Sequence, residues 1–302
     1  MISLTIYLLC HNRPDDARRA MLTILTQFDK VFNLIVSDNS SDDRVERLVC
    51  NEFPGVTYIR RQPMLTALAH FNQCINEDES DYFCLFHDDD VLKPDFVTAM
   101  KKLIQSHPSA IAFGCNSFIE EFDRLTPNLF FKSARQVDLI KNARALATRY
   151  FARSQSGIAP FPGYIYNRKM VGDIRFPVAG GKYADVAWLL SLANQGRIVW
   201  LNQALMTYRL HTGNDSNAES RRDRLSLLAY LKKNRTIFGD EILQDYRCSF
   251  IYKTIRREGC QMTPKRNALA CRFLNHYQWS RYARISTYLA LAQRAFVKLK
   301  GR

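Results

Sequence analysis

With 302 residues, 47% of them apolar, the chain has material for one large domain around a sizeable core, and wholesale disorder is excluded. Its formal charge of +14 is unevenly placed: residues 1–220 hold 24 basic and 24 acidic side chains, whereas 221–302 hold 19 and 5. The sequence reads as a neutral body with a basic tail, and the tail calls for an anionic partner.

SLTIYLLC (3–10) is an unbroken apolar run of strand length, the pattern of a strand buried on both faces. A loop, HNRPDD, follows, and Pro14 sits where the first turn of a helix to about Gln27 accepts it. FNLIVSDNSSDD (32–43) repeats strand and polar loop, and RVERLVCNEF predicts the next helix. VTYIRR (56–61) is a third strand, MLTALAHFNQCINE (64–77) an amphipathic helix, and DYFCLFHDDD (81–90) a fourth strand. A helix from about Pro94 to Ser106 and a strand at SAIAFGC (109–115) follow. This alternation predicts an open α/β sheet, mostly parallel and flanked by helices. In such sheets ligands bind beyond the carboxyl ends of the strands, where the polar clusters at 11–16, 37–43 and 87–90 converge.

Residues 116–215 are less regular, with Pro- and Gly-rich stretches, GIAPFPGYIYNRK and FPVAGGKYAD, of the kind that form functional loops. From about Glu219 the texture changes to helices dense in Arg and Lys, which places a boundary near 217–221. The eight cysteines are scattered without a CxxC pair, no signal-peptide pattern opens the sequence, and no apolar run is long enough to span a bilayer. A reducing, cytoplasmic setting is expected.

CLFHDDDVLKPDF (84–96) sets three carboxylates directly behind an apolar strand. Acids before a helix serve its positive N-terminus, but Asp95 could do that alone after Pro94. Asp88, Asp89 and Asp90 together predict a site for a hard divalent cation, Mn²⁺ or Mg²⁺, which takes carboxylate oxygens and fills its remaining positions with phosphate oxygens.

These residues resemble a family 2 glycosyltransferase of the GT-A fold, an inverting, nucleotide-sugar-dependent transferase. LTIYLLCHNRP resembles the family's opening strand, with His11 where an aromatic residue usually stands; LIVSDNSSDD resembles its Val-Asp-Asp-Gly-Ser segment, with Ser37 in place of the first acid. CLFHDDDVLKPDF resembles the DxD region: anchored on Pro94, Asp89 falls on the metal-binding acid, Asp90 on the acid after it, and His87 where the first acid usually stands. GKYADVAWLLSLANQGRIVWLNQALMTYRLHTGNDS (181–216) resembles the block that holds the catalytic acid and closes with Tyr-Arg-x-His. Asp185 falls on that acid, and Ala184 replaces the Glu before it.

The resemblance implies a GT-A domain over 1–218, its nucleotide-sugar half at about 1–115 and its acceptor half at about 116–218, followed by a basic helical region over 219–302. It implies a nucleotide site from Leu9, His11, Asn12, Arg13, Asp38, Ser40 and Asp88, in which Asp38 accepts the uracil N–H. A cation would be held by Asp89 with Asp90, Asp88 and His211. Gly163, Tyr164, Trp188 and Arg209 would line the sugar and acceptor sites, with Arg209 reaching phosphate or pairing with an acid of the body. Asp185 would be the general base. The implied partners are a nucleotide-sugar and a glycan or lipid-linked glycan acceptor, in cell-surface polysaccharide or lipopolysaccharide synthesis.

In the tail, RYARISTYLALAQRAFVKLK places Ile285, Tyr288, Leu289, Ala292, Phe296 and Leu299 on one helical stripe, with Arg294 and Lys298 opposite. This fits a helix lying on an anionic membrane surface, peripheral to the inner face, and also one packed on its own domain. Rival functions fit the sequence less well; a sugar-phosphate nucleotidylyltransferase, for one, opens with a Gly-rich loop after its first strand, and CHNRPDD has no glycine. Nucleic-acid binding through the tail lacks an aromatic-interleaved platform or recognition motif, and no nucleic acid is expected. An aspartyl-nucleophile phosphotransferase would place its acids after the first strand, not the fourth. Removing the residues after 280 is expected to weaken binding to anionic liposomes; unchanged binding overturns the membrane reading.

Overall fold

The computed structural model describes residues 2–130, 133, 135–152, 161–211 and 220–258. The predicted tail stripe lies outside the described residues. Alternating strands and helices open the chain: β1 (Leu4–Cys10), α1 (Pro14–Leu25), β2 (Asn33–Asp38), α2 (Arg44–Glu52), β3 (Thr57–Arg60), α3 (Ala67–Glu77), β4 (Tyr82–His87), the short β5 (Val91–Leu92) and α4 (Phe96–Ser106). The middle adds β6 (Ala112–Glu121), β7 (Arg124–Leu129), β8 (Val137–Ile140), α5 (Ala143–Ala147), β9 (Tyr164–Asn167), α6 (Arg168–Val171), α7 (Ala184–Gln195) and β10 (Ile198–Leu210). Three helices close the described chain: α8 (Arg221–Lys233), α9 (Arg235–Phe238) and α10 (Asp240–Glu258). The fold is mixed α/β, a central sheet with helices on both faces.

The strands run in the order β3-β2-β1-β4-β9-β6-β10-β5, with β7 on β6 and β8 on β10. The first four are parallel, as is the β6–β10 pair, whereas β9 joins β4 and β6 antiparallel. The parallel expectation therefore holds for the amino-terminal half, and the middle of the chain mixes directions. β1 shows why its sequence is apolar throughout. Leu4, Ile6, Leu8 and Cys10 face one core with α1, α2 and α4, while Tyr7 and Leu9 face a second core with α3, α7 and the later helices. The chain leaves β1 towards β2 on one side and returns to β4 on the other, so the crevice for a ligand lies at the carboxyl ends of these three strands.

The helices after the expected boundary are not a separate layer. Leu227 and Leu231 of α8, Phe238 of α9, and Ile242, Leu243 and Tyr246 of α10 belong to the same core as α7. Ser220 and Asp223 form a capping box that starts α8. Among the described residues no helix is long and apolar enough to cross a membrane.

Gly114 in β6 packs closely against two rings of the second core. A Cβ there would lie 2.6 Å from the Trp200 ring and 2.7 Å from Tyr164. Gly114→Ala is therefore expected to destabilise the fold by about 1–3 kcal/mol through overpacking, measured by urea unfolding.

Candidate functional site

Three strand-end loops are stitched together at this crevice. Asn39 N donates to the Cys10 carbonyl at 3.0 Å, and His11 Nδ1 lies 2.8 Å from the Asn39 carbonyl. Asn12, at φ 58°, donates its backbone N–H to Ser40 Oγ at 2.8 Å, and its side chain accepts from Ser41 N. An asparagine tolerates that left-handed backbone better than most residues. The His11 N–H donates to Asp88 Oδ2 at 2.9 Å, which ties the first loop to the third.

The acids at the end of β4 divide by surroundings. Asp88 is fully enclosed and forms an ion pair with Arg13, Oδ1 to Nη2 at 2.5 Å; burial pushes it up to about 7 against the pull of Arg13. For Asp89, burial works upward, but the positive charges of His87 and Arg13 and a hydrogen bond from His211 hold the carboxyl below the usual carboxylate range. Its Oδ2 meets Arg13 Nη1 at 2.6 Å and His211 Nε2 at 3.0 Å. Burial, then the Asp89 charge, pushes Asp90 well up. Asp90 Oδ1 accepts the Arg209 N–H at 3.0 Å, while its buried Oδ2 has no hydrogen-bond partner among the described residues.

His87, Asp89 and Asp90 form one potential ligand group, each offering an atom within 4.8 Å of the others. The orphaned Asp90 oxygen and the two carboxylates of the donor set fit a hard divalent ion. Asp88 lies outside this group.

Arg209 is a hub. Its guanidinium pairs with Glu120 at 2.6 Å, Asp123 at 2.8 Å and Asp16 at 2.9 Å, although burial works against the charge. It thereby joins β10, the β6–β7 turn and the first turn of α1.

Asp185, half-buried, sits in the first turn of α7, where a carboxylate suits the helix dipole. Burial pushes the Tyr164 and Tyr166 phenols well up, and the Asp185 charge is among the neighbours that add to it. A run of rings connects α7 to the ligand group. His87 meets Phe161 edge-on at 4.9 Å, Phe161 meets Phe176 at 5.3 Å, and Phe176 stacks on Trp188 at 4.5 Å. Trp188 lies one turn beyond Asp185, on the same side of the helix.

A family model described as glycosyl transferase family 2 matches residues 5–162, just over half of the chain. The chain belongs to glycosyl transferase family 2. The glycosyltransferase GlyA of Streptococcus pneumoniae serotype 4 is 21% identical over 220 residues, which make up 70% of this chain and 31% of GlyA. The chain thus spans about a third of the length of that curated relative. Among solved structures, S. aureus TarS 1-349 in complex with UDP-GlcNAc superposes with a TM-score of 0.66 at 13% identity, covering 91% of this chain and 80% of that one. The mannosyltransferase PcManGT of Pyrobaculum calidifontis, in complex with GDP-Man and Mn²⁺, gives 0.55 at 13% identity, covering 98% and 86%. Both likenesses are of fold.

The structure of this family 2 chain links His11, Asn12, Arg13, Ser40, Asp88, Asp89, Asp90, Arg209 and His211 at one crevice, whereas Leu9, expected there, packs into the second core. Asp38, wholly enclosed beside them, already accepts Ser40 N at 2.9 Å and Tyr58 Oη at 2.7 Å. Gly163 lies in a short helical turn against Met206, where a Cβ would approach the sulfur to 3.0 Å. Tyr164 and Trp188, expected as sugar-facing platforms, are instead sealed in the aromatic core behind Asp185, each 0% exposed. A packed aromatic and an open one look alike in sequence.

Sequence reasoning also missed a buried network under β2. Ser37 Oγ lies 2.7 Å from His70 Nε2, Arg61 Nε donates to the same hydroxyl at 2.8 Å, and Glu77 takes both ends of the guanidinium. The unusual Ser37 was the one available signal. Burial, then Arg61, holds His70 down at about 4, below its ordinary 6.5. The unfolded chain therefore binds this proton first, so stability present above about pH 6.5 is lost as pH falls towards 4. His70→Gln should remove that loss, on the order of 3 kcal/mol between neutral pH and pH 4, read from urea unfolding across pH.

Proposed function

We propose that this glycosyltransferase moves a sugar from a nucleotide-sugar, a UDP-sugar, to a hydroxyl of a glycan or lipid-linked glycan, with inversion at the anomeric carbon. The observation that carries this reading is the group His87, Asp89 and Asp90 at the carboxyl end of β4, open-ended at Asp90 Oδ2 and flanked by the stitched loops. These three residues would hold Mn²⁺ or Mg²⁺, with His211 on the Asp89 side. When bound, such an ion supplies Lewis-acid stabilisation to the negative charge of the departing diphosphate.

The chain's own residues do the rest. His11, Asn12 and Ser40 shape the base and ribose site, and the enclosed Asp38 supports it from behind by orienting Ser40 and Tyr58. Asp185 takes the proton of the acceptor hydroxyl as that oxygen attacks the anomeric carbon from the face opposite the diphosphate. The new carbon–oxygen bond forms as the bond to the diphosphate oxygen breaks, and one displacement inverts the centre. In this reading the acceptor is a lipid-linked or lipopolysaccharide glycan, reached from the inner face of the membrane through the basic tail.

A thermal-shift screen of nucleotide sugars with and without Mn²⁺ tests donor and metal together. UDP-sugars should stabilise the chain only with the ion, a GDP-sugar response would reassign the base, and no response to any would overturn the reading. Asp89→Ala is expected to abolish both transfer and metal-dependent UDP binding. Asp185→Asn should lower turnover by about 10²–10⁴-fold while leaving UDP affinity nearly intact. Loss of both properties in the Asp185 variant would make that residue structural.

A further inference from the structure

Arg13 pairs with two acids, one of which, Asp89, also belongs to the candidate ligand group. One guanidinium nitrogen lies 2.5 Å from Asp88 Oδ1 and another 2.6 Å from Asp89 Oδ2. Asp88 is wholly enclosed, yet the Arg13 side chain is 32% exposed, so the fork has one open side. Its backbone is fixed: the Arg13 carbonyl accepts Ala17 N at 2.9 Å, and Pro14 follows as the first residue of α1. Only the side chain is free to turn.

Asp89 is also a member of the ligand group with His87 and Asp90. A guanidinium has five donors and no acceptor, so it cannot share a cation with a carboxylate in the way an imidazole can. His211, on the same Asp89 oxygen, has a lone pair to offer; Arg13 has none. Arg13 and an ion at Asp89 would therefore compete for the negative charge of one carboxylate.

We propose that Arg13 is an internal counter-cation that exchanges with the divalent ion: it neutralises Asp88 and Asp89 when no ion is bound, and turns its guanidinium to the nucleotide diphosphate once the ion takes Asp89. This rests on the metal and nucleotide reading above. It makes Arg13 a positioning residue with two opposite effects. Arg13 weakens binding of the ion alone and strengthens binding of the diphosphate when the ion is present. Ion and nucleotide are then coupled through one side chain, and the coupling is reciprocal.

The test compares the full-length chain with Arg13→Gln and Arg13→Lys. Mn²⁺ binding without nucleotide is followed by the electron paramagnetic resonance of the free ion, and UDP binding at saturating Mn²⁺ by calorimetry. Arg13→Gln should bind Mn²⁺ alone at least about fivefold tighter than the wild type, and UDP at least about fivefold weaker. Arg13→Lys, which keeps the charge without the fork, should fall between on both. Thermal unfolding establishes that each variant is folded, and if Arg13→Gln is not, the same two signs are read from Arg13→Lys. Equal or weaker Mn²⁺ binding by the folded variant overturns the exchange. Tighter Mn²⁺ with unchanged UDP overturns the handover to diphosphate. A wild-type chain that binds no Mn²⁺ overturns the metal reading, and this inference with it.

Discussion

Three carboxylates enclosed at the end of one strand require positive charge to be brought to them, because an unpaired buried carboxylate costs several kcal/mol. The chain brings it from every side: Arg13 from the loop after β1, His87 from β4 itself, and His211 with the Arg209 N–H from the end of β10. Residues 13 and 211 thus meet on one oxygen. The requirement for compensation at Asp88–Asp90 fixes how the amino-terminal and carboxyl-terminal parts of the sheet close on each other.

Around that centre, each loop has its own brace. Arg60, Tyr58 and Ser40 surround Asp38, and Arg61, Glu77 and His70 lock Ser37. Asn39 pairs with Leu65 through both its amide atoms and so pins the segment before α3. Asn72 does the same for Phe176, one of the rings between His87 and α7. Side chains held by such secondary contacts need little rearrangement to meet a ligand.

How much of this was legible follows from periodicity and distance along the chain. β1, β2 and β4 were plain because burial on both faces writes continuous apolar runs, and Asp38 and Asp88–Asp90 were plain because they follow those runs. β5, β7, β8 and β9 were not, being two to six residues long, and β7 (Arg124–Leu129) is largely exposed, with no apolar pattern to read. The partners of Arg209 lie 86 to 193 residues away in sequence, and no local spacing announces them. Tyr164 and Trp188 show the limit from the other side, since composition cannot distinguish a ring that waits for a sugar from one that supports the wall behind it.

The capping box at Ser220 opens helices whose apolar faces close the same core as α7, and Ser191 on α7 meets the Tyr230 hydroxyl on α8 at 3.2 Å. Over the described helices α8 to α10, the shift to basic composition is therefore a change in surface, not a break in the core. A chain cut at that shift would not be a minimal catalyst with its appendage trimmed away. It would lack the lid of its own interior, leaving bare the flank that supports Asp185.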